Sequence, residues 1–313
     1  MSIQILSPGP LTTVQDQGRI GYMHSGFPQS GAMDFYAASL ANILCGNGED
    51  AAVLEMTVGG VTCRFTEEIR FAICGAKVHP TLDGADVAMQ QCIVAPAGSV
   101  LKIGAAVAGC RIYMAVAGGF DVPLVMGSRS TNLRCAVGGY AGRKLQAGDE
   151  LAVLPADTDT AGAHLPYEAP AAEITVRSIP GPQNDYFTKT GLRTFFTEAY
   201  TVSAASDRMG MKLSGTPLAS VAGTDIVSDG IAPGSVQVPA GGQPIILLAD
   251  RQTVGGYAKI ATVIRADLPR LAQLRPGDTV RFEKTNRKKA LAALQKLQRS
   301  LADAKTCVTG GSK

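Results

Sequence analysis

Short runs rich in Val and Ile, each closed by a turn signal, recur along nearly the whole chain. They fall at 3–6, 58–65, 69–74, 87–95, 100–103, 110–117, 151–154, 174–179, 236–238, 245–248 and 279–282. Turn formers such as Asp83-Gly84, Gly118-Gly119 and Pro276-Gly277 stand between them. Runs this short and this β-branched, regularly punctuated, predict a mainly β chain built as barrels or sandwiches. The 36 glycines and 17 prolines supply the turns; with no tryptophan, the core must come from Val, Ile, Leu and Ala. Helical patterns are few. One covers 33–43, N-capped by Ser30 and ending near Gly46, and short ones cover 185–190 and 268–273. The tail 284–305 reads as a helix, with Leu291, Leu294, Leu297 and Leu301 at three- and four-residue steps and a solvated basic face. Residues 306–313 are expected to be disordered.

A chain of 313 residues exceeds what one core ordinarily serves, so two domains are expected. An internal repeat agrees. Gly98-Ser-Val100 returns as Gly234-Ser-Val236, and Leu145-Gln-Ala-Gly-Asp149 as Leu274-Arg-Pro-Gly-Asp278. Between these echoes, Tyr113-Met-Ala-Val-Ala117 corresponds to Ile245-Ile-Leu-Leu-Ala249. One shared order and similar offsets indicate related β domains at 1–160 and 170–285, followed by a helix at 286–305. The break lies at 155–170, where apolar periodicity vanishes.

Several function classes fall away. Residues 284–305 carry seven Lys or Arg and one Asp, +6 of a total of +3, which leaves the rest of the chain at −3. One basic tail on a mildly acidic body is not the basic face of a nucleic-acid binder. No apolar run approaches the ~20 residues of a membrane helix, and the first residues lack a basic and apolar leader, so the protein reads as cytoplasmic. Its seven cysteines are never closer than eleven residues and its three histidines are scattered, so no metal or redox site is expected.

The densest chemistry lies in Asp250-Arg-Gln-Thr-Val-Gly-Gly-Tyr257, between the apolar runs 245–249 and 260–264. A hairpin turn needs Gly, Asn or Asp but has no need of Arg, Gln, Thr and Tyr beside them. Paired glycines next to a guanidinium and a carboxylate suit close approach of a small anion; the plainer alternative is a polar surface turn. Asp250, Gln252, Thr253 and Tyr257 are candidates because polarity beside a buried strand has a desolvation cost. Arg129 and Ser130, with Thr131 and Asn132, offer several donors to a carboxylate or phosphate, or else cap a turn. Arg143 and Arg208 have the same dual reading. Gln15, Asp16 and Arg19 are ligand contacts or a buried bridge that holds the N-terminal loop, and Glu55 is a base or a strand-end carboxylate.

Known catalytic signatures are missing. Gly138-Gly-Tyr-Ala-Gly-Arg-Lys144 lacks the P-loop spacing and its Ser or Thr. Gly127-Ser-Arg-Ser-Thr131 is not a nucleophile elbow. In a strand, Ser99 and Lys102 would face opposite sides of the sheet. Met209-Gly-Met-Lys-Leu213 superficially resembles a biotinylation hairpin but lacks the flanking residues, so Lys212 is not expected to carry biotin.

Gly9-Pro-Leu-Thr-Thr-Val-Gln-Asp-Gln-Gly-Arg19, Gly26-Phe-Pro-Gln-Ser-Gly-Ala-Met-Asp34 and the 250–257 segment resemble the carboxyltransferase-like family named for allophanate hydrolase subunit 2. The resemblance runs over nearly the whole chain, through Asn42-Ile-Leu-Cys-Gly-Asn47, Leu54-Glu-Met-Thr57, Gly181-Pro-Gln183, Ser206-Asp-Arg-Met-Gly210, Gln237-Val-Pro239 and Arg275-Pro-Gly-Asp278. It departs at Val227-Ser-Asp-Gly-Ile231, where a second Ser and a Glu before the Gly would be expected. The resemblance implies two cyclophilin-like β-barrel domains with a C-terminal helix, and a cleft lined by 15–34, 127–143, 206–208 and 250–257. For a free-standing chain without a biotin domain, it implies one component of an ATP-dependent 5-oxoprolinase complex that opens 5-oxo-L-proline to L-glutamate. The implied partners are proteins like the A and B components of that complex, the B-like one resembling allophanate hydrolase subunit 1. The resemblance also implies no covalently bound cofactor, with ATP used by the complex. Two other activities occur in the family: carboxyl transfer from carboxybiotin to a urea-like nitrogen, and non-enzymatic binding within a kinase-antagonist complex.

Overall fold

In strand Ser2–Ser7 the alternation is plain: Ile3 and Ile5 are buried while Ser2 and Gln4 are half-exposed. The computed structural model describes residues 1–156 and 158–310 of a mainly β chain in two units. Unit 1 comprises Met1–Ile20, Ser30–Pro170 and the chain from Gln298 onward. It holds a six-stranded sheet in the order Glu150–Ala152, Ser2–Ser7, Thr62–Phe65, Val100–Lys102, Thr81–Leu82, Ala85–Asp86. Its five-stranded sheet runs Leu11–Gln15, Val53–Thr57, Ala108–Val116, Ile69–Lys77, Ile93–Ala95.

The five-stranded sheet is buried on both faces, which explains its continuous apolar runs. Leu54, Met56, Phe71, Ile73, Ile112 and Met114 share one core with Ile3, Ile5, Cys63 and Phe65 of the other sheet, and Phe65 stacks on Phe71 with ring centroids 5.3 Å apart. The alternate residues Val53, Ala72, Cys74, Tyr113 and Ala115 face helix α1 (Phe35–Leu44). Asp34, not Ser30, caps α1, accepting from Ala37 N–H at 2.9 Å. Ser30 instead takes a left-handed φ of 57° and bonds Asn132.

Unit 2 comprises Gly21–Gln29 and Ala171–Leu297. Its seven strands close into a barrel in the order Glu173–Pro180, Lys259–Val263, Ser235–Gln237, Ile245–Leu247, Gly210–Ser214, Ala199–Val202, Thr279–Lys284, and the last pairs in parallel with the first. A separate ribbon joins Asp225–Gly230 to Val254–Tyr257. The pattern expected at 185–190 is a short turn at Asn184–Tyr186 followed by helix α2 (Lys189–Thr197), capped by Thr188. Phe195 of α2 stacks on the barrel's Phe282 at 4.2 Å. Helix α3 covers Leu268–Ala272 and helix α4 covers Arg287–Gly310. Residues 306–310, expected to be disordered, belong to α4, and 311–313 lie outside the described residues. The leucine stripe of α4 is graded: Leu301 is buried with Val308 in the α1 cluster, Leu294 and Leu297 are half-buried, and Leu291 is exposed.

Two of the three sequence echoes are the same local structures. In 145–149 and 274–278 an aspartate accepts from the backbone N–H three residues earlier, Gln146 and Arg275 respectively, at 2.7 Å in each case. Gly148 and Gly277 have φ of 90° and 93°, which favours glycine. Likewise Ser99 N–H donates to Pro96 C=O and Ser235 N–H to Ala232 C=O, with Gly98 and Gly234 at φ of 83° and 81°.

Candidate functional site

The candidates fall into several small clusters, each within one unit. In unit 1, Asp16 follows strand Leu11–Gln15 and meets the turn at 127–131. Its carboxylate accepts from Ser128 Oγ at 2.7 Å, Gly18 N–H at 2.7 Å and Arg129 N–H at 2.5 Å, and also from Ser130 Oγ. Arg19 is 1% exposed and donates to the carbonyls of Val125 and Ser130. This carboxylate is therefore a clamp that holds the loop to the turn. Thr131 Oγ1 donates to Val14 C=O, and Asn132 Nδ2 donates to Ser30 Oγ at 3.0 Å. Gln15 Nε2 donates to Thr13 Oγ1 and Thr131 C=O, while its Oε1 is buried with no donor among the described residues. Arg129 donates to Val122 C=O and lies 4.0 Å from Asp121.

Arg143 forms a two-pronged bond to Asp149, 2.7 Å on each side, and its guanidinium sits 5.0 Å from the Tyr140 ring centroid. It braces the repeated turn. The Arg143 guanidinium holds the Asp149 carboxyl below the usual carboxylate range. Glu55 is buried mid-strand and accepts from Tyr113 O–H at 2.7 Å and Met33 N–H at 2.8 Å, while the Tyr113 oxygen accepts from Asp34 N–H at 2.8 Å. Burial first, then the Glu55 and Asp34 carboxylates, push the Tyr113 phenol well above its ordinary value. This network anchors the start of α1, and Tyr113 is a member that the sequence patterns miss.

In unit 2, Asp250 and Arg208 find each other. Arg208 Nε donates to Asp250 Oδ2 at 2.8 Å and Nη2 to Oδ1 at 3.1 Å, with both side chains 8% exposed. Arg251 is 2% exposed and donates to the carbonyls of Ile231 and Leu248 and to Met23 Sδ. Burial, then Arg265, pulls its pKa down to about 10, so it stays charged at neutral pH. Thr253 C=O accepts from Ile231 N–H at 3.0 Å. The segment read as a turn continues into strand Val254–Tyr257, in which Tyr257 is exposed. A Cβ on Gly255 would lie 2.8 Å from Gln237 Nε2 and 3.3 Å from Gln252 Nε2, so this glycine lets two amide groups converge. Lys259, not among the sequence candidates, is buried and lies 3.2 Å from Asp229. Its ammonium, then the Gly230 N–H, hold the Asp229 carboxyl below the ordinary range.

Among the described residues no cluster of three or more His, Cys, Asp or Glu could hold a metal ion, and no helix is long and apolar enough to cross a membrane. Lys212 sits within barrel strand Gly210–Ser214, paired to Ile245 on one side and flanked by Ala199–Val202 on the other. A lysine inside a barrel wall is poorly placed for a carrier role. Protein coexpressed with a biotin ligase should give a blank streptavidin blot; a band abolished by Lys212→Arg would reverse this assignment.

Barrel, paired sheets and polar turns together are those of a carboxyltransferase domain. Residues 25–284 match the family model for the carboxyltransferase domain, subdomain A and B, and the chain belongs to that family. It is 39% identical over 297 residues to the C subunit of 5-oxoprolinase from Escherichia coli, covering 95% of this chain and 96% of that protein. It is 40% identical to the protein of that name in Haemophilus influenzae, over 90% of each. It also superposes on the solved Kluyveromyces lactis urea amidolyase with a TM-score of 0.92 at 32% identity, covering 97% of this chain and 20% of that one.

Proposed function

We propose that the chain is one component of an ATP-dependent 5-oxoprolinase complex that opens 5-oxo-L-proline to L-glutamate in the cytoplasm, together with partners like the A and B components of such a complex. The observation that carries this is the end-to-end match to the Escherichia coli protein, 96% of whose length is covered. Against the urea amidolyase structure the chain accounts for only 20% of that protein. Similarity to that structure supports the second reading, carboxyl transfer from carboxybiotin to a urea-like nitrogen.

Opening a lactam requires breaking amide resonance. Phosphorylation of the amide oxygen by ATP, the complex's co-substrate, would provide the drive, and donors aimed at the developing charge would stabilise it. Of the two candidates, Arg143 is committed to Asp149, whereas Arg129 has only a long 4.0 Å ion pair with Asp121 and would turn its guanidinium to a carboxylate or phosphate. Arg208 fixes the Asp250 carboxylate, which would orient or deprotonate the reacting group. Gln252, Gln237 and Tyr257 would position substrate around Gly255, and Gln15 Oε1 would accept from a ligand N–H.

The purified chain alone should release no glutamate from 5-oxo-L-proline, with or without ATP. The same chain with its partner proteins should release it in an ATP-dependent manner. Robust turnover by the chain alone would overturn the reading. Incorporation of labelled bicarbonate into product would favour carboxyl transfer.

A further inference from the structure

Lys259 opens barrel strand Lys259–Val263, and its side chain is 3% exposed. A buried ammonium is ordinarily matched by an enclosed, fully bonded partner, because desolvating an unmatched charge is costly. Here the match is Asp229 Oδ2 at 3.2 Å, from a carboxylate that is itself 53% exposed. The ammonium has no aligned hydrogen-bond partner among the described residues. Asp229 sits near the end of the ribbon strand Asp225–Gly230, almost all of which faces solvent, and its pairing with Val254–Tyr257 shifts register between Asp225 and Asp229.

Two glutamines border Lys259 through long hydrogen bonds. Gln183 Oε1 accepts from the Lys259 backbone N–H at 3.2 Å, and its Nε2 reaches Asp229 Oδ2 only at 3.5 Å. Gln237, 2% exposed, donates to Tyr257 C=O at a stretched 3.4 Å. It pairs directly opposite Lys259 across the two barrel strands. A buried cation bordered by two glutamines is thus matched only by an exposed carboxylate that reaches it from outside.

We propose that Lys259, flanked by Gln183 and Gln237, binds the carboxylate of a small-molecule ligand, and that Asp229 is an internal stand-in which that carboxylate displaces. Exchange of one carboxylate for another keeps the buried ammonium neutralised throughout, so entry never leaves a buried charge unmatched. Asp229 lowers the apparent affinity by the fraction of time it occupies the site. A neutral lactam has nothing with which to displace it. The choice of ligand, the carboxylate of 5-oxo-L-proline, rests on the oxoprolinase reading; the carboxylate site itself does not.

Calorimetric titration of the full chain with acetate, 5-oxo-L-proline and the neutral lactam 2-pyrrolidinone tests the site. Both carboxylates should bind in competition with each other, and the neutral lactam should not bind. Lys259→Gln should weaken the carboxylates at least ~10-fold, the span of one bond to a charged group. Asp229→Asn, at an exposed position, should tighten them several-fold. Failure of any carboxylate to bind, equal binding in Lys259→Gln, or weaker binding in Asp229→Asn would each overturn the proposal. In the assembled complex the two readings separate. Carboxylate binding lost in Lys259→Gln, with no turnover of 5-oxo-L-proline, keeps the site and removes the oxoprolinase reading. Turnover with an unchanged KM in Lys259→Gln keeps the oxoprolinase reading and removes the site.

Discussion

Asp250→Asn should reduce turnover by the assembled complex at least ~100-fold, the lower range for loss of a positioned acid–base group. It should also destabilise the chain, because Arg208 would be left buried beside a neutral amide. Breaking a buried pair by removing one charge costs about 3–5 kcal/mol, and the retained amide keeps the loss near the lower figure. Two causes of lost activity are therefore mixed in the single variant. The double variant Asp250→Asn/Arg208→Gln separates them, because both charges leave together and the pair becomes neutral. Its Tm should recover most of the loss while turnover stays low. If turnover returns together with Tm, Asp250 is a structural anchor and its catalytic role is gone.

Asp16→Ala should strongly destabilise unit 1. It deprives two hydroxyls and two backbone N–H groups of one shared acceptor, in a place where Ser128 and Ser130 are fully buried. Each buried group left unsatisfied costs ~1–3 kcal/mol, so a total on the order of 4 kcal/mol and a Tm lower by roughly 10 °C are expected. Differential scanning calorimetry measures this directly. A shift below ~2 °C would mean that water or a neighbour replaces the carboxylate and that the clamp is not what holds the 127–131 turn.

Strands with one-sided or two-sided apolar burial, such as Ser2–Ser7 and Ala108–Val116, are legible because side-chain alternation shows itself within a few residues. Leu11–Gln15 and Val53–Thr57 are not, because Thr12, Thr13, Gln15 and Glu55 break the apolar pattern. Those residues are nonetheless buried, and the partners of Gln15 Nε2 and Glu55 include Thr131 and Tyr113, far along the chain. In 87–95 only Ile93–Ala95 is strand, and in 58–65 only Thr62–Phe65, since Val58 takes a left-handed φ of 61°. The cap of α1 falls at Asp34 and not at the expected Ser30 because both are equally good cap residues and only the backbone decides between them. The polar crowding at 250–257 does mark a buried cluster. That Asp250 pairs with Arg208, 42 residues earlier, has no local signal. Lys259 carries none either: a single lysine at the head of an apolar run looks like a solvated strand end until the barrel closes around it.

The N-terminal unit includes residues 298–310, so the two units are interleaved along the chain and do not follow one another. Leu301 and Val308 cover the α1 face that carries Ala37, Ala41 and Leu44. During synthesis the whole of 171–297 emerges before that cover exists. At cellular elongation rates the uncovered face persists on the order of ten seconds, long enough for an apolar surface to meet other nascent chains. Severing the polypeptide at residue 170 would likewise leave unit 1 without its cover and unit 2 without Gly21–Gln29, so neither fragment carries all of its own unit.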